Sequence, residues 1–298
     1  MVAVLLAVGA NSGCVVSHLA TADRMRNGLV IVLPGIEGRS KYNVDIARGL
    51  ADGGVPCAIE IFDWGTGLPL GGLVNLVSLE RNRRQAGLVA DRIVEYQRDY
   101  PGRGVHLVGH SGGGGLAVLT LEALPPGTRA TSAVLLAAAV SPDHDLTRAL
   151  TRTEKGIWNF YTNTDIGYLQ VGTGLFGTID RKHTRAAGAV GFRRPARASA
   201  RTVRAYEKLH SVRYKPTMFY TGHRGGHTGW TDREFVAVWL APVILAAGDS
   251  RAGYHIALDD RLEPKPTRTA SQSAAPGTFH PPPPPTVPPT LGQVSPPP

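Results

Sequence analysis

Val105-His106-Leu107-Val108-Gly109-His110-Ser111-Gly112-Gly113 reads as a short apolar strand, a sharp turn and the first residues of a helix. The helix follows because Leu116 to Leu124 continue as an almost unbroken apolar run. A Gly-x-Ser-x-Gly turn between strand and helix is so tight that the serine backbone is strained, and small residues on both sides let the two elements approach. The hydroxyl of Ser111 then stands clear of the sheet. The N–H groups of the new helix can stabilise a negative charge developing beside it. A chain with 36 glycines produces Gly-x-Ser-x-Gly by chance, so the strand–turn–helix context carries the reading.

Working outward, the same alternation recurs. Leu29-Val30-Ile31-Val32-Leu33 is a continuous apolar run of strand length, as in a strand covered on both faces. It ends in Pro34-Gly35-Ile36-Glu37-Gly38. A helical stretch follows with Tyr42, Ile46, Gly49 and Leu50 on one face, and Pro56 to Phe62 reads as the next strand. Trp64 to Val77 has no period and reads as a loop near the site. A helix then carries Ala86, Val89, Ile93, Tyr96 and Tyr100 at three- and four-residue steps. After the Ser111 helix, strands are expected over Ser132 to Val140, Ile157 to Thr162 and Thr217 to Thr221, and a last amphipathic helix over Thr231 to Ala247. Residues 166 to 196 read as a Gly-rich insertion around the site. Strands alternating with helices imply an α/β domain over 28–250 with a mainly parallel, doubly wound sheet.

The flanks differ in composition. Residues 1 to 20 carry no charged side chain, and Met1 to Gly9 are nearly all apolar, too short to span a bilayer but suited to a signal peptide. Ser12-Gly13-Cys14 resembles the lipobox of bacterial lipoproteins, which implies export with a lipid on Cys14 and membrane association. Asn11 and the missing basic residues depart from that pattern, and a start at Met25 would give a cytoplasmic protein. Residues 262–298 turn Pro-rich, with Pro281 to Pro285 unbroken. They read as a disordered tail able to bind an unknown partner.

Thirty-two basic against 23 acidic residues give a net charge of +9. This permits attraction to anionic surfaces, but no nucleic-acid-binding signature is present, and nucleic acid is not expected as a partner. Arg193 to Lys215 carries eight cations and one acid, Glu207, with Arg197, Arg201 and Arg204 sharing a face if helical. A solvated face and contact with anionic lipid both fit it. Cys14 and Cys57 are the two cysteines, so neither a disulfide framework nor a zinc site is expected. Cys57 reads as a small buried hydrophobe. No phosphate loop, dinucleotide fingerprint or metal motif appears, and no cofactor is expected.

A serine hydroxyl needs a base, and the base needs a carboxylate to fix its tautomer. In an open parallel sheet such groups gather at the carboxyl ends of strands. His227, in the Gly-Gly-His-Thr-Gly loop, is preferred to His223 as the base. Asp165 is preferred to Asp143 and Asp145 as the acid; the latter two sit where helix N-caps are expected. His110 and His106 read as packing residues.

The order Ser111, Asp165, His227 is that of the α/β-hydrolases. From Gly28 to about Ala247 the chain resembles that superfamily, bacterial serine esterases and lipases in particular. The resemblance implies a sheet of α/β-hydrolase type, here lacking the usual first strands. It implies Ser111 as nucleophile, His227 as base, Asp165 as orienting acid, and oxyanion-hole N–H groups from Gly112 and Ile36, with Gly35 the alternative to Ile36. Pro34 stands where the family commonly has His-Gly. Glu37 would lie at the mouth of the site, as a substrate-positioning group or a solvated loop charge. A small-molecule or lipid ester would be cleaved through an acyl-enzyme. Acyl transfer, thioester cleavage and a non-catalytic binding role on the same scaffold are the alternatives.

Overall fold

A computed structural model describes residues 16–65, 78–163, 178–182 and 184–248. Cys14 and Asp165, singled out above, lie outside them, as do residues 1–15 of the leader, all of 66–77, residues 166–177 of the Gly-rich insertion and the whole Pro-rich segment. The chain divides into two units, Met1–Leu262 and Glu263–Pro298, and every described residue belongs to the first.

Six strands form one sheet: β1 (Leu29–Leu33), β2 (Ala58–Ile61), β3 (Val105–His110), β4 (Ala130–Leu136), β5 (Thr153–Tyr161) and β6 (Leu209–Arg213). Their order is β2-β1-β3-β4-β5-β6, and every pairing is parallel. The protein is therefore of the α/β class. The apolar strands alternate between two cores. Leu29, Ile31 and Leu33 enter one core together with Val105, Leu107, Ala133 and Leu135, while Val30, Val32, Val108 and Val134 enter the other. A strand covered on both faces has no polar side to show, which is why β1 reads as an unbroken hydrophobic run.

Helices cover each face. The first core receives α2 (Leu79–Asp99) and α3 (Gly112–Ala123) through Val89, Ile93, Leu116 and Leu121, with α4 (Thr147–Thr151) and α5 (Ala200–Tyr206) beside them. The second receives α1 (Lys41–Asp52) and the C-terminal helical run. That run starts at Arg233–Phe235, widens into a π turn at Val236–Leu240 and finishes as α6 (Ala241–Gly248). Residues before Gly28 also pack: Val16 and Leu19 are buried in the second core, and Arg24 donates to the carbonyls of Val55 and Cys57. Cys57 is a buried free thiol. No described helix is long and apolar enough to cross a membrane.

The last strand is not where the sequence pattern puts it. Thr217 to Thr221 belongs to a 3-10 helix, Pro216–Thr221, and the strand is Leu209–Arg213. Pro216 lacks an N–H for a ladder and its fixed φ suits the first residue of a helical turn. Phe219 and Tyr220 are 50% and 82% exposed. The true strand was masked by His210 and Ser211, which interrupt its apolar run: His210 stacks on Trp158 with ring centroids 4.4 Å apart, and Ser211 is buried.

Two other limits move. β4 ends at Leu136, because Ala137 takes a positive φ of 47°. Ala138 to Val140 stay buried because they run across the strand ends beneath the site rather than within the sheet. β5 starts at Thr153, four residues before the apolar pattern, because Glu154 and Lys155 face solvent. Within the basic stretch, Arg201 and Arg204 lie in α5 but Arg197 precedes it, so the three do not share one helical face.

Candidate active site

The strand order reverses between β1 and β3, and the turns leaving their carboxyl ends meet there, the usual place for a ligand crevice in such a sheet. The turn after β1 carries Pro34 to Gly38. The turn after β3 is a single residue, Ser111, with φ 53° and ψ −118°. A non-glycine residue holds such a backbone only when its surroundings over-determine it. Here the Ser111 N–H donates to the Leu136 carbonyl at 2.8 Å, and the Ser111 carbonyl accepts from Ala139 N–H at 2.9 Å. The end of β4 and the segment that follows it thus grip both sides of the serine. Ser111 is half-buried.

The glycines around it answer to contact. A Cβ at Gly109 would stand 2.3 Å from the Gly113 carbonyl oxygen, and one at Gly113 would stand 2.1 Å from that of Leu33. Helix α3 therefore leaves the turn with its first coil pressed against both β1 and β3. At Gly112 a Cβ would meet the Ile36 side chain at 2.8 Å, so the sequence-predicted oxyanion pair, Gly112 and Ile36, is brought together. Trp64, fully buried, donates from Nε1 to the Pro34 carbonyl at 2.8 Å and braces the turn from the β2 side.

His227 reaches the serine's neighbour. Its ring lies 4.7 Å from that of His110, and His110 Nε2 is 3.2 Å from the His227 carbonyl oxygen. With that oxygen as acceptor, Nε2 of His110 carries the proton and donates it. His110 is buried, and burial with the nearby His227 pulls its pKa down to about 3, so it is neutral. Its part in holding His227 was missed in the sequence, where it read as packing alone; its place beside the serine was the available signal.

His223, the other candidate base, belongs to the core. It is fully buried, with its ring 4.1 Å from Trp230 and 4.7 Å from Tyr214, and its Nδ1 accepts from Gly225 N–H at 3.1 Å. Burial lowers its pKa to about 4. His106 is likewise buried, with Nδ1 2.8 Å from the Ser132 hydroxyl.

Among the carboxylates, Asp143 is held by two guanidinium nitrogens of Arg193, Nε at 2.6 Å and Nη2. Asp145 accepts from the Thr147 N–H at 2.9 Å in a local turn; the N-cap of α4 is Leu146, so neither aspartate takes the cap position expected from the sequence. Glu37 lies differently. The residue is exposed as a whole, yet its carboxylate folds back over Gly35, where a Cβ would stand 2.2 Å from Oε2. Burial raises its pKa, opposed by backbone hydrogen bonds and by the charge of His227. Glu37 is therefore electrostatically coupled to the histidine, a relation the sequence did not reveal. Among the described residues no group of side chains has the make-up of a metal site.

No protein-family model matches the chain, and no curated protein matches it in sequence. Among solved structures it is similar to a Burkholderia cenocepacia protein described in its crystal structure as an aryl esterase by assignment. The identity is 12% over 75% of this chain and 92% of the other, with a TM-score of 0.45. The structure shows a parallel α/β sheet with a serine at the turn between β3 and α3.

Proposed function

We propose that the protein is a serine hydrolase acting on carboxylic esters through an acyl-enzyme at Ser111. One observation carries the reading: a serine at φ 53°, ψ −118° between β3 and α3, with His227 against the residue that precedes it. A strained serine at the mouth of a helix N-terminus serves attack on a carbonyl better than it serves packing.

In this reading the Ser111 hydroxyl oxygen bonds to the ester carbonyl carbon while His227 takes its proton. The carbonyl oxygen gains the negative charge and is met by the N–H groups of Gly112 and Ile36. Collapse expels the alcohol, which receives the proton from His227. Water then enters by the same route in reverse and releases the acid. Asp165 is the carboxylate assigned to orient His227. It follows β5, the neighbour of the strand that leads to the histidine loop, and the engagement of Asp143 with Arg193 and of Asp145 with Thr147 supports it.

The test is intact-mass analysis after treatment with a fluorophosphonate. A single adduct on the wild type, absent from Ser111→Ala and His227→Ala, is expected. No adduct on correctly folded wild type would overturn the esterase reading in favour of a binding protein on a hydrolase-like scaffold.

A further inference from the structure

At the opposite end of the sheet, where β4 and β5 begin, a cleft of about 410 Å³ is lined by Gly127, Arg129, Arg148, Thr151, Arg152 and Arg201. Gly127 and Arg129 end the turn into β4. Arg148, Thr151 and Arg152 come from α4 and its end, and Arg201 from the first turn of α5. The seven-residue β4 separates this cleft from the serine turn by roughly 20 Å, at the usual strand rise.

Four guanidinium groups, charged at every accessible pH, thus face one space without a carboxylate among the lining residues. Some arginines elsewhere are paired, among them Arg92 with Glu60, Arg193 with Asp143 and Arg233 with Asp52. None of the four cleft arginines forms an ion pair among the described residues. Their side chains are not needed as helix caps either. The Arg148 carbonyl accepts from the Thr151 hydroxyl, the Ala149 carbonyl from Arg152 N–H, and the Arg152 carbonyl from Ala130 N–H. A fifth cation, Lys208, lies close enough to feel Arg129, and Glu154 is the acid acting on it.

Gathering like charges around a concave space is unfavourable until an anion enters it. The volume falls in the range of small-molecule sites, but no aliphatic or aromatic side chain lines it. The occupant is therefore recognised by charge and by planar, two-pronged hydrogen bonding, which guanidinium groups give to phosphate oxygens. Four of them match more than one phosphate group.

We propose that this cleft is a second ligand site, separate from the serine site, that binds a diphosphate or bisphosphate group. A soluble phosphorylated metabolite and a phosphorylated lipid headgroup share that chemistry. The assignment is independent of the esterase reading.

Isothermal titration of the full chain with inorganic pyrophosphate tests it. Saturable binding that weakens with added salt is expected, falling at least about tenfold in Arg148→Gln/Arg152→Gln. Arg201→Gln, on the exposed side of α5, should weaken it without touching the β4–β5 junction. An equal loss of charge at a distance, Arg83→Gln/Arg84→Gln in the first turns of α2, should leave it unchanged. Flotation with phosphatidylcholine vesicles, with and without a phosphatidylinositol bisphosphate, separates the sources. Flotation lost in the double variant identifies the headgroup; pyrophosphate binding without flotation identifies a soluble ligand. The proposal fails if neither probe binds, or if the distant variant weakens binding as much as the cleft variant.

Discussion

The His110 ring stacks at a tilt of 46° on the His227 ring and donates a hydrogen bond to the same residue's backbone. One side chain therefore fixes both the loop and the imidazole proposed as the base. Because His110 is the residue before Ser111, the base is tied to the nucleophile through a single peptide link. His110→Leu keeps the packing and deletes the donor. It should lower kcat about tenfold or more with little change in KM, the cost of one buried hydrogen bond at a positioned group. His110→Gln, which restores a donor, should recover part of it. Wild-type kcat in the leucine variant would remove His110 from any part in holding His227.

Carboxylate variants separate two candidates for the partner of His227. Asp165→Asn should cost up to about ten-thousand-fold in kcat, the scale seen when a serine–histidine pair loses its orienting acid. Glu37→Gln removes a charge that interacts with His227 but leaves a side chain of the same shape over Gly35. It should cost far less in kcat. If Glu37→Gln is the more damaging of the two, the orienting acid follows β1 and not β5.

Glycines at two positions should respond in opposite directions. A methyl at Gly113 collides with the Leu33 backbone, which cannot retreat without breaking β1 from β3. Gly113→Ala should destabilise by about 3 kcal/mol or fail to fold. Gly87, inside α2, has nothing within 4 Å of a Cβ position, so Gly87→Ala should stabilise by about 0.5–1 kcal/mol. Urea melts of both measure the contrast.

Stability should peak near pH 6.5 and fall on both sides. His106 and His223 are held neutral by burial, with pKa values near 4 against an ordinary 6.5. Their contribution is complete above 6.5 and is lost as pH falls toward 4, because the unfolded chain takes up protons there. His144 is the reverse. Burial lowers its pKa, but Nδ1 bonds Asp180 at 3.2 Å and Nε2 bonds Glu122 at 2.8 Å, and together these raise it to about 9. Its contribution is complete below 6.5 and is lost as pH rises through 9. His144→Gln should lower stability below pH 6.5 and flatten the alkaline limb. An unchanged alkaline limb would show that the Glu122–His144–Asp180 clamp does not set it.

Legibility in the sequence followed the number of faces an element buries. β1 and β3, covered on both sides, read directly, and so did the one-residue turn that Gly109 and Gly113 require. β6 did not, because His210 and Ser211 interrupt its apolar run, while the exposed Phe219 and Tyr220 imitated a strand further on. Ala137 to Val140 imitated strand as well, since residues beneath a site are as buried as residues in a sheet. The nearness of Gly112 and Ile36 could be inferred from strand order; the fold of Glu37 over Gly35 could not, because it depends on a side-chain rotamer. The arginine cleft is assembled from three separate segments of chain and leaves no local pattern.

The grip of β4 on Ser111 also has a consequence for how the protein breathes. The Ser111 N–H is protected by Leu136, inside the most buried part of the sheet, and not by a surface loop. Its amide hydrogen should therefore exchange with solvent only when the whole sheet opens, at the slow rate of the core. The proposed nucleophile would then share the lifetime of the fold itself, leaving the loops that frame it free to fluctuate without carrying it along.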